Sequence, residues 1–98
     1  LNKAMLETIA NPDAAVAYVK ERDPLINVEL ETRRLKLAFD SVVVTPETRK
    51  LGLGAVDADR LARSVTDVVS AFGLPATPVA TELFTSAYLP PVAERAIK

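Results

Sequence analysis

No cysteine and no histidine occur in the 98 residues. Without cysteine there are no disulfides, no zinc-thiolate site and no thiol nucleophile, although many exported proteins also lack the residue, so compartment stays open. Without histidine the commonest general base is gone; carboxylates, Ser, Thr, Lys and two Tyr remain, and none stands at a recognised nucleophile or acid–base spacing. An excess of one charge is missing too. Twelve Lys and Arg balance thirteen Asp and Glu, for a net charge of -1, which gives no electrostatic pull toward nucleic acid or an anionic membrane. No apolar run approaches the roughly 18 to 20 residues of a membrane span. No charged n-region, apolar h-region and small-residue cleavage site open the chain. No alternation of acids resembles a calcium loop, so no metal and no cofactor are expected.

What is present is apolar: 49% of the residues are hydrophobic, enough for a modest core. Residues 1–98 read as one helical segment with no internal repeat, no low-complexity tract and no linker. About four helices and a proline-rich tail are expected. Leu1, Met5, Leu6 and Ile9 have near-helical spacing, and the chain starts inside this pattern, as a piece of something longer would. Asn11-Pro12-Asp13 is a restart signal, with a cap, a proline at the first helical position and an acid at the positive end of the dipole. That second helix runs to about Arg22, and Asp23-Pro24 stops it.

Asn27 can cap a third helix, whose charged half pairs Glu29 with Arg33 and Glu31 with Arg34. Its apolar half runs through Phe39 to Val42, Val43 and Val44. These β-branched residues could form a buried strand by themselves, but nothing between Glu29 and Val44 breaks a helix. Thr45-Pro46 ends the element and caps one more turn. The clearest helix has Asp57 as its cap and an apolar stripe of Ala58, Leu61, Ala62, Val65, Val68, Val69 and Phe72, with Gly73 as a left-handed C-cap. The tail after Gly73 holds four prolines and one short helix, capped by Thr81, around Glu82 to Phe84.

All three glycines fall between Lys50 and Gly73, and Gly52-Leu53-Gly54 ahead of a helix raises the question of phosphate binding. The dinucleotide fingerprint needs a preceding strand and a third glycine, and that position is Asp57, whose carboxylate repels phosphate. Two glycines permitting a tight bend are the better reading. A helix-turn-helix is the sharper alternative, since Leu61 to Leu83 places helix, glycine turn and capped helix in the right order. Its recognition helix would offer only Thr81 and Glu82 as polar groups, so no nucleic-acid partner is expected. Phe84 and Tyr88, four apart, read as a core pair rather than a stacking platform.

Taken in order, "ANPDAAVAYVKERDP", "ELETRRLKLAFDSVVVTPETRKLGLGAVDADRLARSVTDVVSAFGL" and "LFTSAYLPP" resemble the C-terminal region of solute-binding proteins of ABC importers. The group is the one serving thiamine-pyrimidine precursors and, more widely, nitrate, taurine and other sulfonates. The resemblance spans nearly the whole chain. It implies a two-lobed α/β periplasmic binding protein of type II, of which this chain is the all-α last third. It also implies no enzymatic activity, export to the periplasm or cell exterior behind a signal peptide or lipoprotein leader, and delivery of a small solute to an ABC permease. No ligand-contact motif maps onto these residues, so the resemblance assigns no catalytic, metal or ligand-binding residue. The glycine loop corresponds to a structural connection into a late helix. The rival expectation is a free-standing helical module that binds a protein or DNA. Helices made to cover a sheet would leave apolar stripes open, and a two-fold dimer with exchanged tails is then expected.

Overall fold

The computed structural model describes residues 1–98 and is all-helical, with no β-strand. Seven α-helices follow one another: α1 (Asn2–Ala10), α2 (Pro12–Arg22), α3 (Val28–Ala38), α4 (Pro46–Leu51), α5 (Ala58–Phe72), α6 (Ala80–Leu83) and α7 (Val92–Arg95). Four of them, α1, α2, α3 and α5, have nine or more residues.

The punctuation signals act as their chemistry requires. Asn11 Oδ1 accepts the Ala14 amide at 3.2 Å with Pro12 at the first position of α2. Asn27 Oδ1 accepts the Leu30 amide at 3.0 Å, and Asp57 Oδ1 the Arg60 amide at 2.9 Å. Each satisfies one of the orphan donors of a helix N-terminus. At the other end of α2, Lys20 Nζ donates to the carbonyls of Pro24 and Ile26, the latter at 2.8 Å, and so fixes the turn at Asp23-Pro24. Of the two ion pairs expected on α3, Arg34–Glu31 forms at 2.9 Å and Glu29–Arg33 does not. The other cation of the helix, Lys36, reaches across to Asp13 of α2 at 3.2 Å.

The valine run is helical, not extended. Beyond Ala38 the helix continues as one wide π turn over Phe39–Val43, closed by the Val44 amide on the Phe39 carbonyl at 2.7 Å. Thr45 and Thr48 then form a reciprocal capping box for α4, and Thr48 Oγ1 also donates to the Val43 carbonyl at 2.6 Å. One threonine thus ties the end of one helix to the start of the next.

Two expectations for the tail are corrected. Thr81 does not cap the short helix: α6 begins at Ala80 behind Val79 and has no side-chain cap. A second short helix, α7, is also present, with Pro91 as its cap; Pro90-Pro91 reads locally as a breaker, yet a proline just ahead of a helix is well tolerated.

α2 packs on α3, α1 lies against both α2 and α7, and α5 meets α6. The tail therefore runs back from α5 to the opposite end of the chain. This arrangement is open. The radius of gyration is 17.2 Å, against about 13 Å for a compact chain of this length. The accessible surface is 7542 Å², about 2,100 Å² more than the roughly 5,400 Å² expected of a folded monomer of this mass. Only Val16, Phe39, Leu53 and Val65 are buried apolar side chains, and no side chain is fully enclosed.

Candidate functional site

The most built-up part of the molecule lies where the glycine loop meets the returning tail. Gly52 and Gly54 have φ of 79° and 83°, a region that side chains disfavour. A methyl group on Gly52 would lie 2.9 Å from Arg95 Nη1 and 3.3 Å from the Arg95 carbonyl; one on Gly54 would lie 3.0 Å from Leu89 Cδ2. Both glycines therefore serve backbone shape and close approach of the tail at once. Leu53 between them is buried, and its amide donates to the Arg95 carbonyl at 2.8 Å.

Arg95 holds the junction. Only 8% of it is exposed. Its Nη1 donates to the carbonyls of Leu51 at 2.7 Å and Leu53 at 3.3 Å, and its Nε to the carbonyl of Pro90 at 2.9 Å. None of the ion pairs of the chain includes it. A buried guanidinium with carbonyl partners and no carboxylate is unusual, because taking the charge out of water costs several kcal/mol unless it is well compensated. No local signal in the sequence marks it: Arg95 follows Glu94 in a short run after Pro90-Pro91, and two of its three acceptors are backbone carbonyls 42 and 44 positions away.

Beside this junction, α5, α6 and α7 frame an open groove of about 430 Å³. Val56, Leu61, Phe84 and Val92 supply apolar walls, and Lys50 and Arg95 line it as cations. Thr81 and Ser86 add hydroxyls, and no Asp or Glu takes part.

At the N-terminus of α5 the phosphate question is settled by carboxylates. Asp57 caps the helix, and Glu47 Oε1 accepts the Asp57 amide at 3.1 Å while Oε2 pairs with the Arg60 guanidinium. Two acids already occupy the place an anion would take. The Asp57 amide first, and Arg60 second, hold the Glu47 carboxyl below its ordinary value of 4.5.

The other candidates do not assemble. No group of three or more acids is placed to hold a metal ion, and the acids at Asp57 and Asp59 are a cap and a first-turn residue. The helix after the glycine turn, α6, has four residues, too short to lie along a groove of DNA as a recognition helix. Phe84 and Tyr88 do not form a core pair: α6 ends at Leu83, Phe84 is extended, and Tyr88 is 92% exposed. Their spacing matters only in a continuous helix, which this segment is not.

No family model, curated protein or solved structure matches the chain.

Proposed function

We propose that this chain is the C-terminal helical part of the solute-binding component of an ABC importer, which captures a small solute such as a pyrimidine, nitrate or a sulfonate and delivers it to the permease. The observation that carries the reading is the ordered run of sequence pieces from Ala10 to Pro91 that resembles such proteins. The open arrangement of the helices is compatible with it. A layer meant to cover a lobe leaves one side of its helices unburied, and here Val68, Phe72, Leu83 and Tyr88 are all exposed. The role is binding rather than catalysis, outside the cytoplasm, with the solute cleft formed mostly by other parts of the protein. By itself the segment covers its apolar faces by self-association.

The test is a thermal-shift screen of the full-length protein that contains this segment, against pyrimidines, sulfonates and nitrate. Ligand that binds only the folded state raises the melting temperature, by about 2.7 kcal/mol of stabilisation at a hundredfold excess over Kd. The reading expects one class to do so and then to stimulate the ATPase of the cognate permease. A full-length protein without two α/β lobes, or one that no such solute stabilises, would sink it.

A further inference from the structure

The unpaired charge of Arg95 has a use beyond holding the tail. Its Nε and both hydrogens of Nη1 are taken by carbonyls, which leaves Nη2 without a protein acceptor; no buried side-chain nitrogen lacks a partner, so Nη2 keeps contact with solvent. Arg95 lines the groove framed by α5, α6 and α7, and the same groove carries Lys50, the hydroxyls of Thr81 and Ser86, and an apolar wall that includes Leu61 and Phe84. Two cations, two hydroxyls and no acid form a donor set for an anion. A volume of about 430 Å³ lies within the roughly 300–1,000 Å³ of small-molecule sites, which are typically apolar with a few placed polar groups.

We infer that this groove binds a small organic carboxylate, its oxygens on Arg95 Nη2 and Lys50 and its apolar body along Leu61 and Phe84. An apolar body is required because the walls are aliphatic and aromatic; inorganic phosphate would leave them wet. A cation would face Lys50 and Arg95 and is excluded by charge. The fixed carbonyls on Nε and Nη1 preorganise the guanidinium, so little side-chain freedom is lost when the carboxylate arrives. The site is made wholly from this chain and does not rest on the importer reading.

Phenylacetate, neutral phenylacetamide and phenethylammonium are the probes, titrated into the ¹⁵N-labelled 98-residue chain by NMR. Saturable shifts for phenylacetate are expected at the amides of Leu61, Thr81, Phe84 and Arg95, with phenylacetamide at least about tenfold weaker and phenethylammonium silent; a charged hydrogen bond of about 1.5 kcal/mol corresponds to that factor. Lys50→Ala and Thr81→Val, both at exposed positions, should retain the dispersed spectrum and weaken phenylacetate several-fold. Arg95→Lys, read where Gly54 amide dispersion shows the junction intact, should likewise weaken phenylacetate several-fold, and full affinity in that variant would also overturn the inference. Equal binding of acid and amide, shifts away from the groove, no shift at all, or full affinity in both the Lys50 and Thr81 variants would each overturn the inference.

Discussion

Gly52 and Gly73 both have positive φ, yet they sit in different surroundings. A methyl group on Gly73 meets nothing within 4 Å, whereas on Gly52 it meets Arg95. Gly73→Ala should therefore cost only the left-handed backbone, about 1–2 kcal/mol. Gly52→Ala adds displacement of a buried guanidinium and should cost about 3 kcal/mol or more; urea denaturation of the two variants checks the order. Glu47 gives a second residue-scale test. Its folded pKa is depressed, so its contribution to stability is fully present above about pH 4.5 and is lost as pH falls through the lowered folded value. Melting curves of the parent and Glu47→Gln should accordingly differ most near neutral pH and converge in acid. A constant difference down to pH 2 would mean that the contact of Glu47 with Asp57 and Arg60 is not what its charge supports.

The helix Ala58–Phe72 shows what an amphipathic pattern can and cannot say. Cap, stripe and C-cap agreed in the sequence, and the helix has the anticipated ends. Its stripe, however, is buried at Val65 alone, while Val68 is 49% and Phe72 76% exposed. Val65→Asp should then cost several kcal/mol through an unpaired charge in an apolar site. Val68→Asp should cost little in the dilute monomer, where the side chain is half exposed, and should act instead by weakening self-association; thermal melts of both variants at low concentration read the difference. The caps at Asn11, Asn27 and Asp57 were legible because capping is local chemistry, as was the choice of helix for Phe39 to Val44, where no breaker intervenes. The π turn within that helix, the start of α6 and the existence of α7 were not. Each depends on what a short segment touches rather than on its own residues. Arg95 is the extreme case, since its burial follows from carbonyls presented by a loop more than forty positions earlier.

At the scale of the whole molecule, the excess surface outweighs any single contact. Each Å² of apolar area left uncovered forgoes about 25 cal/mol of hydrophobic stabilisation, and the net stability of typical domains is only about 5–15 kcal/mol. Helices this exposed are stable when something covers them. In the proposed protein that cover is the rest of a lobe; for the isolated chain the same proposal calls for a second copy, and the roughly 2,100 Å² of excess surface on each chain is within the range of large two-fold interfaces. Sedimentation velocity of the isolated chain over a wide concentration range, paired with thermal melts of the same samples, tests this most directly. The account predicts a concentration-dependent shift from monomer to dimer, with the melting temperature rising as the dimer forms. A strict monomer with a cooperative, concentration-independent melt would contradict it, because the helices would then have no need of the missing cover.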